Sequence, residues 1–185
     1  MEKSVILIDG ENVVKNWIKY CEQKRINAKI DYLKLVKRLS LGTNLLRAYF
    51  YDGVPDQIPP RKERFMQLLE ANGIQLRTKV LKLKKNICPH CQNVEVKEIQ
   101  KGVDVSLATD VLRHAWQETC DICIIVSGDE DYKDAVDCAK DKGVKVWVAS
   151  FKHCLSANLR RSADKTIILD DIFEELIYTP DKRNP

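Results

Sequence analysis

Two hydrophobic periods take turns along the chain. Short, almost uninterrupted apolar runs read as buried strands, and stretches with apolar residues three and four apart read as helices. "SVILID" is the first strand, closed by Asp9 and Gly10. "NVVKNWIKYCEQ" follows with helical spacing, placing Val13, Trp17, Ile18 and Cys21 on one face. Asp31 caps "YLKLVKRL", whose Leu33, Val36 and Leu39 form a second helical stripe. "LLRAYFYDG" is a second strand, and "RKERFMQLLEAN", entered through Pro59 and Pro60, is a helix stopped by Gly73. "IQLRTKVLKLKK" alternates as one long strand, and "VEVKEI" is expected to pair with it as a hairpin around "NICPHCQN". Beyond it come the helix "DVSLATDVLRHAW", the strand "DICIIVSGD" and the helix "DYKDAVDCAKDKG". The strand "VKVWVAS", the helix "CLSANLRRSA", the strand "TIILD" and a closing helix "DIFEELIY" complete the chain.

Near-continuous apolar strands separated by helices predict an α/β fold: a mostly parallel sheet covered by helices on both faces. No repeat or low-complexity linker divides the chain, so one domain is expected over residues 1–178. A hairpin insertion falls at about 77–101, and residues 179–185 form a frayed tail. At 185 residues, 44% hydrophobic and 31% charged, the composition is that of an ordinary globular domain rather than a disordered one. No apolar run reaches membrane-spanning length, and no charged, apolar leader opens the chain, so a cytoplasmic protein is expected. The seven cysteines are odd in number and mostly lie within apolar or helical stretches, as buried small hydrophobes do in a reducing compartment.

"IIVSGDEDYKDA" changes the picture, because an apolar strand ends in Asp129, Glu130 and Asp131, three consecutive carboxylates. In a parallel sheet, Asp9 and Asp129 close their strands on the same edge, where such folds place their ligand crevice. Asn12, three residues past Asp9, can turn its amide over that crevice. Asp104 opens the helix after the hairpin and can face the same edge. Converging carboxylates are costly unless a cation neutralises them, and hard divalent ions prefer oxygen ligands. Mg²⁺ or Mn²⁺ held there would support phosphodiester hydrolysis by activating water. Each acid also has a plainer role open to it. Asp9 and Asp131 could cap the helices that follow, and Asp104 could answer a helix dipole. Asp110, six residues on from Asp104, points away from it on a helix and is the weakest candidate, while Asp52 reads as a turn residue.

Three blocks, "ILIDGEN", "KGVDVSLATD" and "VSGDEDY" followed by "GVKVWVAS", resemble the NYN domain, a branch of the PIN-like metal-dependent ribonucleases. Their order and spacing match from about Val5 to Leu169. The resemblance implies a PIN-like three-layer sandwich and Mg²⁺- or Mn²⁺-dependent cleavage of RNA. It implies an acidic centre of Asp9, Asn12, Asp104 and Asp129, with Asp131 close by. Glu130 and Tyr132 depart from the family's usual residues at their positions. Some members of the family bind RNA without cutting it, so a catalytically inactive RNA-binding or regulatory module is the alternative.

The hairpin segment carries Arg77, Lys79, Lys82, Lys84, Lys85, Lys97 and Lys101 against Glu95 and Glu98. Beside an acidic centre, Lys79, Lys82, Lys84, Lys85 and Lys101 are candidate contacts for RNA phosphates, though lysines also blunt solvated edges. Arg160 and Arg161 could extend the positive rim. Cys88 and Cys91 in "CPHC" are half of a structural zinc site, which His90 or a second chain could complete; free thiols at a tip are the other reading. Cys120 and Cys123 have the same spacing but enter a strand, where alternation should part them. His114 is read as a helix contact rather than a base, and Trp17, Trp116 and Trp147 as core. A homodimer is compatible with the sequence and not required by it. A haloacid-dehalogenase-type phosphatase fails because Glu11 stands where its second aspartate would be, and no G-x-G-x-x-G follows the first strand.

Overall fold

The computed structural model describes residues 1–87 and 94–179. Six strands form one sheet in the order β3-β2-β1-β6-β7-β8, every neighbouring pair parallel. They are β1 (Lys3–Asp9), β2 (Asn44–Val54), β3 (Ile74–Val80), β6 (Ile122–Val126), β7 (Lys145–Ser150) and β8 (Lys165–Ile168). Helices α1 (Gly10–Lys24), α2 (Tyr32–Leu39) and α3 (Pro60–Ala71) connect the first three strands. Helices α4 (Val103–Trp116), α5 (Lys133–Asp141) and α6 (Ala157–Ser162) belong to the second half.

Buried residues fall into two clusters, one on each face of the sheet. Ile6 and Ile8 of β1 point to the side of Trp17, Leu35 and Leu69, while Val5 and Leu7 point to the side of Leu107, Val111 and Val136. The alternation of strand side chains thus feeds two cores from one strand, which makes a three-layer α/β sandwich. Trp17 stacks on Phe173 at 4.4 Å between ring centres, which pins the chain's closing segment to α1.

Several local expectations are corrected. The alternating stretch after Gly73 is two strands: β3 pairs with β2 in the main sheet, and the chain then changes partner at Leu81. β4 (Lys82–Ile87) and β5 (Val94–Ile99) pair only with each other, antiparallel, so Arg77 and Lys79 belong to the sheet and not to the hairpin. The closing segment Leu169–Leu176 is a run of 3₁₀ turns rather than an α-helix, with Leu169, Ile172, Phe173 and Leu176 buried. Ile18 lies outside the buried face of α1 and is exposed. Trp116 is exposed too, with the Lys142 ammonium 4.3 Å from its ring centre. Cys120 and Cys123 are buried as expected but not parted; Cys120 precedes β6, and the two sulfurs lie 3.9 Å apart.

Candidate acidic centre at the carboxyl edge of the sheet

Asp9 ends β1 and serves as the N-cap of α1, taking the Asn12 backbone N–H on Oδ1 at 3.1 Å. Its other oxygen accepts from the Ser127 hydroxyl at 3.1 Å and the Tyr132 hydroxyl at 3.0 Å. Capping and site-building are therefore not alternatives here. The carboxylate is only 3% exposed. Burial dominates and pushes its pKa up, the charge of Asp104 adds to this, and the three hydrogen bonds oppose it.

Asp104, in the first turn of α4, accepts from the same Tyr132 hydroxyl at 3.3 Å. Its pKa is raised as well, first by loss of water around it and then by the charges of Asp129, Glu11 and Asp131. Tyr132 sits in a 3₁₀ turn, Glu130–Tyr132, whose N-cap is Asp129. Asp129 Oδ1 takes the Asp131 N–H at 3.1 Å, so Asp129 does the capping and Asp131 points into solvent. Burial and the two neighbouring acids drive the Tyr132 hydroxyl far above its ordinary range, which keeps it a proton donor between them.

Asn12 faces the same crevice. Its Oδ1 accepts the Gly128 N–H at 3.3 Å and the Asn16 amide at 3.2 Å. Two glycines allow this closeness. A Cβ on Gly10 would stand 2.8 Å from the Tyr51 carbonyl oxygen, and one on Gly128 would stand 2.5 Å from the Cys154 carbonyl oxygen.

The structure thus brings Asp9, Asn12, Asp104 and Asp129 to one edge, with Asp131 beside them. The sequence did not single out Ser127 and Tyr132, which link the acids; a serine and a tyrosine flanking a cluster of acids would have been the signal. Asp110 is remote from the cluster, buried against Tyr51, Arg77 and Arg113. Asp52 is no turn residue but lies within β2, 3.0 Å from Lys62. Lys79, Lys82, Lys84 and Lys101 are exposed. The side chain of Lys85 and all of Cys88, His90 and Cys91 lie outside the described residues, and the zinc reading with them.

Among the described residues, no three Cys, His, Asp or Glu side chains are drawn together as a ready metal cage. The donor chemistry nonetheless fits a hard divalent ion, being all oxygen. Among the described residues, no lysine or arginine forms an ion pair with Asp9, Asp104, Asp129 or Asp131.

The NYN domain model matches residues 3–170. This chain belongs to the NYN domain family. NYN domains form a PIN-like, nuclease-like family, often associated with RNA and typically dependent on divalent metals. Over 129 residues the chain is 28% identical to the low amplitude and bright protein LabA of Synechococcus elongatus, covering 69% of this chain and 64% of LabA. Over 79 residues it is 34% identical to the uncharacterized protein y4oD of Sinorhizobium fredii, covering 41% of this chain and 37% of that one. The matches thus span less than two thirds of each relative. A solved structure, a protein of unknown function, VPA0982, from Vibrio parahaemolyticus, superposes with a TM-score of 0.70 at 21% identity over 96% of both chains. That likeness establishes the shared fold. No helix among the described residues is long and apolar enough to cross a membrane.

Proposed function

We propose that this NYN domain hydrolyses RNA phosphodiester bonds at a Mg²⁺ or Mn²⁺ centre held by Asp9, Asp104 and Asp129, with Asp131 at its rim. The observation that carries the reading is the buried Asp9 carboxylate, bridged to Asp104 by one tyrosine hydroxyl and left without a cation among the described residues. Such an arrangement is expensive in a resting fold and sensible where charge is to be supplied from outside. A divalent ion would provide that charge and lower the pKa of a water molecule toward neutrality.

The chain's own groups have defined tasks. Asp9 is fixed by three donors, so its free lone pairs are pre-aimed, and Asn12 is fixed by the Gly128 N–H. Tyr132 keeps its proton and holds the Asp9 and Asp104 side chains in register. Exposed Lys79, Lys82, Lys84 and Lys101 offer phosphate contacts that draw an anionic polymer toward an acidic edge.

A second reading, RNA binding without turnover, draws on the missing three-acid cage and on the Tyr132 hydroxyl, which already occupies one oxygen of each acid. Cleavage of a labelled single-stranded RNA pool in Mn²⁺, Mg²⁺ and EDTA separates the two, with a folded Asp129→Asn protein run alongside. The hydrolytic reading expects metal-dependent cutting that falls at least about a hundredfold in the variant. Binding by both proteins with no cutting in any metal would leave the binding module.

A further inference from the structure

A second polar cleft, of about 590 Å³, lies away from the acidic edge, where α4 crosses β2 and β3. Arg47 comes from the start of β2, Arg77 from β3 and Arg113 from the last turn of α4. We infer that this arginine-lined cleft is an oxyanion site that takes the phosphate group of a nucleotide or of RNA.

The charge count favours an anion. Asp110 is the one carboxylate that answers these arginines among the described residues, with Arg113 Nη2 at 2.8 Å and Arg77 Nε at 3.4 Å. Its second oxygen also accepts from Tyr51 at 2.6 Å, so little acceptor capacity remains. Three guanidinium groups against one carboxylate leave two positive charges. Arg47 forms no ion pair among the described residues, and Arg77 lies over the Tyr49 ring at 5.1 Å from its centre. Guanidinium forks suit phosphate because they can offer two parallel N–H donors to two oxygens.

His114 is the second, independent observation. It lines the cleft, is 7% exposed, and its Nε2 has no hydrogen-bond partner. The polarity of its other nitrogen is tied to its neighbours. When the Thr119 hydroxyl donates to the His114 carbonyl at 3.3 Å, its oxygen accepts from Nδ1–H at 2.7 Å. In that tautomer of the neutral ring Nε2 is a bare lone pair. Burial holds the imidazole below its ordinary pKa, with Arg113, Arg77 and Arg47 pushing the same way and Asp110 opposing. A bound oxyanion cancels the cation excess beside the ring and so favours its protonated form. This site needs no metal, so it stands independently of the hydrolytic reading.

The test follows the His114 ring by ¹H–¹³C NMR in EDTA, its signal assigned with His114→Asn. The probes are inorganic phosphate, AMP and a single-stranded RNA oligomer with a 5′-hydroxyl end. A saturable shift of the His114 signal with an upward move of its pKa is expected, and Arg47→Ala should weaken it about tenfold or more. Arg47 is exposed, so the variant keeps the fold. Response to phosphate or AMP identifies a monoester ligand, and response to the oligomer alone identifies a backbone phosphodiester; either supports the site. No saturable shift with any probe, or binding by the Arg47→Ala and Arg47→Glu proteins as tight as by the wild type, overturns it.

Discussion

Asp9 does two things at once, and they conflict. As an N-cap it accepts a backbone N–H and stabilises α1; as a buried charge it costs free energy. The second effect wins, since its pKa in the fold lies above the ordinary 3.8. Between those two values the folded state binds more protons than the unfolded one, so stability falls as pH rises through that window. Asp9→Asn keeps an acceptor for the cap and removes the charge. Calorimetry at pH 7 should show it melting about 2–4 °C higher than the wild type, the shift expected for roughly 1 kcal/mol in a chain this size. Adding Mn²⁺ should raise the melting temperature of the wild type and leave that of Asp9→Asn nearly unmoved. A variant that melts lower would mean that the cap outweighs the charge. The acids could be placed from the sequence because strand ends and parallel pairing fix where they emerge. Tyr132 was not legible, because its hydroxyl reaches Asp9 across 123 positions of sequence, and only the folded 3₁₀ turn brings them together.

At the scale of elements, the pattern named the strands but not their partners. Alternation passes Leu81 with only a one-residue slip at Val80–Leu81, because β3 and β4 share the same period of two, and a period carries no information about which neighbour a strand bonds. The handover is visible only in the hydrogen bond from the Leu81 N–H to the Val54 carbonyl at 2.8 Å, the last tie to β2. Trp116 was misplaced for a similar reason: apolar spacing identifies a helix face but not where the packed neighbours stop. Because β4 and β5 pair only with each other and Lys82 stands opposite Ile99, the hairpin can be cut out at its base. Replacing residues 83–98 by a short Gly-Ser turn should leave the melting temperature within about 2 °C, since none of the described residues it removes belongs to the buried core. RNA affinity, read by fluorescence anisotropy, should fall by tenfold or so if Lys84 and Lys85, which the cut removes, contact phosphates. A large loss of stability would show that the arm braces the sheet.

Across the whole molecule, the net charge of +4 hides a separation: acids gather at the carboxyl edge, exposed lysines flank it on β3 and the hairpin, and arginines line the far cleft. Binding of single-stranded RNA should therefore weaken steeply with salt, and each of Lys79→Ala, Lys82→Ala and Lys84→Ala should flatten the log–log slope by about 0.7. Asp129→Asn should leave that slope as it is. A lysine variant with an unchanged slope would remove that residue from the phosphate track.

The two ends of the hairpin lead to different places. One leaves the edge strand β3 through Leu81 alone; the other passes Gln100, whose side-chain oxygen holds the Gly53 N–H at 2.8 Å, and enters α4 within three residues. Asp104 is the second residue of that helix. The arm that would grip a polymer and the acid that would help cut it are therefore in mechanical series, like a handle and a jaw sharing one short shaft, so a pull on the arm reaches Asp104 before it reaches Asp9 or Asp129.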